Sequence, residues 1–307
     1  MIEATPEPEA SAGPDDDGLE EAAVVFAGVR GRLFGIAYRM LGSSSDAEDI
    51  VQDVWLRWQG CDRSVVLEPA AFLATTTTRL AINMLQSARM RRETYIGPWL
   101  PEPINTRDDP ELGAERGEAL GFAMMLLLEK LTPTERAAYV LREAFDYPYE
   151  QIAHIVQLKE PATRQLVSRA RKRLASERRA AVPATEQQRL LAAFLQAAQS
   201  GDVTALEQLF AADVVSYTDG NGAKLAARIP VLGRSRVAQF VAAFSSHFWT
   251  GKTIEWVELN GQPAAALTED GVVTTTLVLS VGEDGIEQLL WTMNPEKLHR
   301  VTPAAAL

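Results

Sequence analysis

A single cysteine, Cys61, among 307 residues excludes a disulfide framework and makes a reducing, cytoplasmic compartment the expectation. Histidine is nearly as scarce. His154, His247 and His299 stand at no metal-ligand spacing, so no metal and no cofactor are expected. No apolar run approaches the ~18 residues that a membrane-spanning helix needs, and no membrane partner is expected. The first 30 residues lack both a basic start and an apolar stretch, so a signal peptide is not expected either. At this length two or three domains are the expectation, not one core.

Positive charge is also short overall, the net charge being −11. The deficit is uneven. Residues 1–29 carry eight acids and no base, 96–113 four acids and one base, and 183–307 thirteen acids and eight bases. Residues 30–95 and 114–182 are instead net basic, by two and three charges. Their bases cluster further, at Arg89, Arg91 and Arg92 in the first segment and from Arg164 to Arg179 in the second. Clusters of this kind suit a phosphate backbone, although a solvated helix face has the same composition.

Residues 1–18, rich in Pro, Glu, Asp and Gly, read as a disordered acidic tail. From 19 to 95 the pattern is helical. Val25, Val29, Leu33, Ile36, Ala37 and Met40 recur at three- and four-residue spacing, Gly42 ends their helix, and Ser43 to Ser45 cap the next. A long helix then runs from near Pro69 to Arg92. Residues 96–113 hold four prolines and two glycines, which exclude a continuous helix. Trp99 and Leu100 among them predict a linker that docks on something. In 114–182, Thr132, Pro133 and Glu135 form a capping box. "YEQIAHIV", the break "QLKE" and "PATRQLVSRARKRLASERRA" then give a helix-turn-helix with a basic second helix. Residues 186–300 read as α+β, with helices over 186–210 and 233–249. Strands are expected in "AAALTEDGVVTTTLVLSVGEDGIEQLLWTM".

The segments "RLFGIAYRMLGSSSDAEDIVQDVWLRW" (32–58) and "AFLATTTTRLAINMLQSARMRRETYIGPWLPEP" (71–103) resemble sigma-70 region 2 of extracytoplasmic-function sigma factors. Residues 114–175 look like region 4 of the same family, and 186–300 resemble a SnoaL-like (NTF2-like) domain, the combination found in the sigma-J type. The resemblance implies a multidomain fold of two all-α sigma domains, region 2 (19–95) and region 4 (114–182), with a C-terminal α+β cone. Core RNA polymerase and promoter DNA are the implied partners, and transcription initiation without catalysis by this chain is the implied activity.

Asp46, Glu48, Asp49 and Asp53 lie along one side of a helix whose other side is expected to hold Ile50, Val54 and Leu56. The resemblance assigns that polar side, with Gln52 and Trp55, to the clamp helices of the polymerase, where charge complementarity would set register. Arg79, Asn83, Gln86, Arg89 and Arg92 recur at three- and four-residue spacing, with Arg91 beside them. Arginine suits phosphates, while Asn and Gln can read base edges. In the family this helix and the loop at about 60–69 capture the melted element near −10. In the second basic helix, Arg164, Gln165, Ser168, Arg169, Arg171, Lys172 and Arg173 are candidates for the major groove near −35, with Leu166, Val167 and Ala170 inward. Lys159 stands where the family commonly has Ser, which removes a cap of about 1 kcal/mol.

An enzyme in the C-terminal domain would need an acid–base pair. Asp202, Asp213, Asp219, His247, His299 and Tyr217 show no such pairing, and no catalytic residue is assigned. Two other motifs correspond to the sigma-J type: "DGNGAK", with Asp219, Gly220, Gly222 and Lys224, and "NPEKL", with Asn294, Pro295, Lys297 and Leu298. An ordinary hairpin turn is the plain alternative for the first. Together with Trp99, Leu100, Pro101, Glu102 and Pro103 they are expected to form a regulatory interdomain contact, Lys224 offering its charge to Glu102. Two further readings stay open, a cone cavity that binds a small-molecule ligand, and a SnoaL-like enzyme tethered to a DNA-binding module.

Overall fold

The computed structural model describes residues 14–93, 95–106, 121–175, 182–223 and 225–301, without the side chains of 14–17 and 88–93. Helix α1 (Pro14–Ala27) begins inside the stretch expected to be a tail. Helix α2 (Arg30–Leu41) follows after a break at Gly28 and Val29, so the apolar repeat expected to form one helix is divided between two. Gly42, at φ 66°, ends α2 with its N–H on the Tyr38 carbonyl. Helix α3 (Ser44–Gly60) starts where the Ser43 hydroxyl accepts the Asp46 N–H at 3.2 Å. Helix α4 (Pro69–Glu93) contains four consecutive threonines, β-branched residues with low helix preference. Each hydroxyl of Thr75 to Thr78 donates to the carbonyl four residues back, at 2.7–2.9 Å, so their polar atoms are satisfied inside the helix.

A second bundle comprises α5 (Phe122–Leu128), α6 (Pro133–Glu143), α7 (Tyr149–Val156) and α8 (Glu160–Ala175). The capping box is complete: Thr132 accepts from the Glu135 N–H, and the Glu135 carboxylate accepts from the Thr132 N–H. Gln157, at φ 58°, makes the tight turn between α7 and α8. The two bundles share one core. It runs from Phe26, Ile36 and Trp58 in the first to Met125, Val140 and Leu166 in the second without interruption. At the seam two arginines are buried. Arg136 Nε donates to the Arg39 carbonyl at 2.9 Å, and the Arg39 guanidinium lies 4.9 Å from the Phe145 ring centre.

The third part has helices α9 (Ala184–Ser200), α10 (Val203–Leu209), α11 (Arg234–Ala243) and the short α12 (Pro295–Leu298). Its sheet comprises β1 (Phe210–Asp219), β2 (Val231–Leu232), β3 (Thr253–Leu259), β4 (Gln262–Glu269), β5 (Val272–Gly282) and β6 (Gly285–Thr292). Their order is β2-β1-β6-β5-β4-β3, with β1 and β6 parallel and the other pairs antiparallel. One face packs Leu277, Leu289 and Trp291 against Phe194 and the helices. The other places Ala264, Ala266, Val278 and Leu290 under Leu100 of the linker, Phe122 of α5 and Leu298. Burial on both faces explains the apolar run "LVLSV" in β5, which does not alternate as a half-exposed strand would.

A Cβ on Gly42 would stand 2.7 Å from Cη2 of Trp99, and the positive φ adds strain for any other residue. Replacing Gly42 with Ala is expected to cost about 1–3 kcal/mol and to shift tryptophan emission as Trp99 is displaced. An unchanged thermal midpoint with an unchanged spectrum would contradict this packing.

Candidate functional site

The linker runs extended between the first bundle and the C-terminal sheet, and a buried acid holds it on each side. Asp219, at the end of β1, is fully buried. Its Oδ2 accepts from the Leu100 backbone N–H at 2.7 Å and from Lys297 Nζ at 2.6 Å, while Oδ1 accepts from the Tyr95 hydroxyl at 2.5 Å. Lys297 Nζ also donates to the Leu100 carbonyl and lies 4.2 Å from the Trp99 ring centre, a cation–π distance. Asn294 Nδ2 donates to the Tyr95 oxygen at 2.8 Å. Burial pushes the Tyr95 hydroxyl pKa up and the bond to Asp219 acts in the same direction, so the hydroxyl stays a donor.

Local sequence aims these groups. Asn294 caps α12 by accepting the Glu296 N–H, and Pro295 is the first helical residue, which turns Lys297 toward the linker. Gly220 follows Asp219 where a Cβ would lie 2.1 Å from that of Ala226, so only glycine fits the close turn. Gly222, at φ 88°, takes the left-handed position of the same loop, against Ile96.

On the other side Glu102 is buried at the start of α3. Its carboxylate accepts from the Ser44 N–H at 2.7 Å, from the Ser44, Ser43 and Ser45 hydroxyls at 2.5, 2.9 and 3.2 Å, and from the Ser45 N–H at 3.4 Å. An anion at a helix N-terminus is favoured by the backbone dipoles there. Lys224, expected to offer its charge to Glu102, lies outside the described residues. Three serine hydroxyls and two amides at the helix end form the donor set of Glu102. Pro101 and Pro103 are buried beside it. The Tyr38 hydroxyl donates to the Glu102 carbonyl at 2.7 Å and accepts from Asn260 Nδ2 at 2.7 Å. Asn260 in turn exchanges two hydrogen bonds with the Ile104 backbone, at 2.9 and 3.1 Å. Tyr38, Tyr95 and Asn260 were not read from the sequence. Asn260 precedes Gly261 and signals only a hairpin turn.

The basic helix α8 separates its residues into two kinds. Gln165, Ser168, Arg169 and Lys172 form an exposed stripe at helical spacing, with Leu166, Val167, Ala170 and Leu174 buried behind it. Arg164, Arg171 and Arg173 are exposed but turned to acids of their own bundle, Glu160, Glu143 and Glu135, at 2.5, 2.6 and 3.2 Å. Such surface pairs are weak enough for phosphate to displace. Arg178 and Arg179 lie outside the described residues.

Along α4, Asn83 and Gln86 are exposed. The Arg79 guanidinium instead donates to the His154 and Ile155 carbonyls at 2.9 and 3.2 Å, capping the end of α7. The side chains of Arg89, Arg91 and Arg92 lie outside the described set. Beside Arg79 opens a wide groove between α4 and the preceding loop, lined by Leu67, Phe72, Thr75, Thr76 and Asn83, with His154 at one end. Val65 and Leu67 are 72% and 95% exposed there, an unusual position for apolar residues. On α3, Asp49, Gln52 and Asp53 are exposed, Asp46 is half-buried, and Trp55 packs on Phe26 with ring centres 5.0 Å apart. Glu48 pairs with Arg30 at 2.7 Å. Leu56, expected inward, is 57% exposed, because Val51 and Trp58 fill the core on that side.

Two outcomes test this geometry. Asp219→Asn leaves the Lys297 ammonium buried without its counter-charge and is expected to destabilise the protein by about 3–5 kcal/mol in denaturant unfolding, with part recovered in the double variant with Lys297→Met. Arg169→Ala is expected to weaken duplex binding across sequences and to reduce the slope of log affinity against log salt by about one. An unchanged slope would remove Arg169 from the phosphate contacts.

Residues 25–91 match the family model described as Sigma-70 region 2, and residues 122–174 that described as Sigma-70, region 4. The ECF RNA polymerase sigma factor SigJ of Mycobacterium tuberculosis is 36% identical over 231 residues, 74% of this chain and 74% of the relative. The probable ECF RNA polymerase sigma factor SigI of the same species is 29% identical over 273 residues, 88% and 92% of the two chains. The crystal structure of the M. tuberculosis extracytoplasmic function sigma factor SigJ superposes with a TM-score of 0.71 at 30% identity, covering 91% of this chain and 97% of that one. That coverage takes in the C-terminal domain as well as both helical bundles. The chain belongs to the sigma-70 family, as an extracytoplasmic-function sigma factor.

Proposed function

We propose that this sigma factor directs promoter-specific transcription initiation in the cytoplasm, and that its C-terminal domain holds the free protein closed by clamping the linker, in place of a separate anti-sigma protein. Core RNA polymerase and promoter DNA are its partners. Initiation requires no catalysis by this chain, since the chemistry belongs to the polymerase. The exposed face of α3 with Asp49, Gln52 and Asp53 would meet the polymerase. The groove beside α4 would take the element near −10, and the stripe on α8 the element near −35.

One observation carries the regulatory part: regions 2 and 4 share a core while the linker between them is pinned from both sides. Elements at −10 and −35 lie roughly 25 base pairs apart, about 85 Å at the duplex rise. Two modules in van der Waals contact cannot serve both at once. From Glu93 to Phe122 the tether covers 29 residue steps, which fully extended reach about 95 Å. With 95–106 held down, the remainder reaches only about 50 Å. Opening therefore requires that the linker leave its site. Arg79 couples to the same change, because its guanidinium is spent on α7 carbonyls while the modules are closed and is freed for phosphate when they part.

The test is run-off transcription with core polymerase at stated salt, comparing the full chain, a truncation lacking 186–307, and the full chain with Trp99→Ala. Both changes are expected to raise promoter-specific yield, and small-angle scattering of Trp99→Ala should show a radius of gyration larger by several ångströms. Identical transcription from full and truncated proteins would end the regulatory reading and leave the sigma activity intact.

A further inference from the structure

Asn260 and Gly261 make the turn between β3 and β4, at φ 52° and 71°. Asparagine followed by glycine is the pair that such a turn prefers. The pair also has a chemistry of its own. The backbone nitrogen after an asparagine can attack the side-chain amide at Cγ, and glycine, lacking a Cβ, leaves that nitrogen least hindered. In this fold both reacting groups are engaged by the linker or by α2. The Asn260 side chain is fully buried, its Oδ1 accepting from the Ile104 N–H at 3.1 Å and its Nδ2 donating to the Tyr38 hydroxyl at 2.7 Å. The Gly261 N–H donates to the Thr106 hydroxyl at 2.9 Å, although the residue itself is exposed. The sequence holds the same pair once more, at Asn221 and Gly222, where both residues are exposed.

We propose that Asn260 is a deamidation site shielded by the closed linker, and that its reaction once the linker has left keeps the closed form from returning. The release of the linker is the reading proposed above, on which this inference rests. In the released chain the Gly261 nitrogen gives its proton to solvent and bonds to Asn260 Cγ. The bond from Cγ to Nδ2 breaks, and ammonia leaves with a proton taken from water. Water then opens the five-membered imide at either carbonyl, which gives aspartate or isoaspartate. One water is consumed and one ammonia released, with nothing oxidised or reduced. Neither product restores the contact. The single hydroxyl proton of Tyr38 goes to the Glu102 carbonyl at 2.7 Å, while Asn260 supplies the second hydrogen bond. An aspartate carboxylate has no proton to give, so either it or that carbonyl is left buried without a donor, which is costly. Isoaspartate adds a methylene to the main chain inside a two-residue turn, which the hairpin register does not accommodate.

The test incubates the full-length protein in mildly alkaline buffer and follows deamidation of each asparagine separately by peptide mass spectrometry. Asn221 gives the rate of the same pair without the linker over it. A reaction confined to an open form scales with the population of that form, as protected amide exchange does. Asn260 is therefore expected to react at least tenfold more slowly than Asn221 in the unaltered chain. In Trp99→Ala it should speed up at least fivefold while Asn221 keeps its rate. Equal rates at the two sites in the unaltered chain overturn the shielding. A Trp99→Ala protein that is expanded in small-angle scattering yet holds Asn260 at its original rate overturns the site. One that stays compact overturns the clamp itself, and this inference falls with it. Asn260→Asp, which is one of the two products, is expected to raise promoter-specific yield and to speed exchange of the Ile104 amide at least threefold. Unchanged yield and exchange in that variant overturn the one-way effect alone.

Discussion

The Asp219 carboxylate is the point at which three parts of the chain depend on one another. Taking an ion pair out of water costs several kcal/mol per ion, and the attraction between partners repays this only when the remaining lone pairs and protons are also satisfied. Lys297 supplies one contact from the C-terminal domain itself. The Leu100 amide, the Leu100 carbonyl, the Tyr95 hydroxyl and the Trp99 ring all come from the linker. Removing the linker leaves the pair in place but strips it of most of its solvation by protein. Such a contact is closer to all-or-none than to graded. Glu102 repeats the arrangement with the roles exchanged, the linker giving the acid and the first turn of α3 giving the donors.

A restraint built into the same chain behaves differently from a second protein. Its stoichiometry is fixed at one, its local concentration is set by the tether, and it cannot be diluted or degraded separately. Release has to come from a competitor that binds the open form better. Moving a closed population of 99% to an open one of 99% takes about 5.5 kcal/mol of differential binding. On the reading proposed above, promoter contacts would compete for groups that the two bundles use between themselves, Arg79 above all, so binding and opening would draw on the same side chains.

What was legible in the sequence was local. The capping box at Thr132, the turn after Val156 and the exposed stripe of α8 each follow from residues three or four apart, and each stands where the pattern placed it. The strands of the final hairpins were equally plain from their turn residues. β1 was not, because it follows α10 with no break and pairs in parallel with β6, far along the chain. The shared core of the two bundles was also invisible, since both sides of that seam read as ordinary buried helix faces. Leu56 shows the same limit at one residue: composition allows either face, and Trp58 decides it by bulk. At Glu102 charge pointed only to a lysine, and the serines at the start of α3 were not read as its partners. Three serines at a helix end carry no charge, and their capacity to hold an anion emerges only when the helix forms.

The order in which the clamp is assembled follows from where its parts lie along the chain. The seat for Glu102 is made early, but Lys297 is synthesised 195 residues after Glu102. At roughly 5–20 residues per second a ribosome needs ~10–40 s to cover that distance. For the last 122 residues of it, from Ala175 at the end of α8 to Lys297, the nascent chain carries both helical modules without Lys297, so on the regulatory reading proposed above every new molecule would be briefly unrestrained before it first closes.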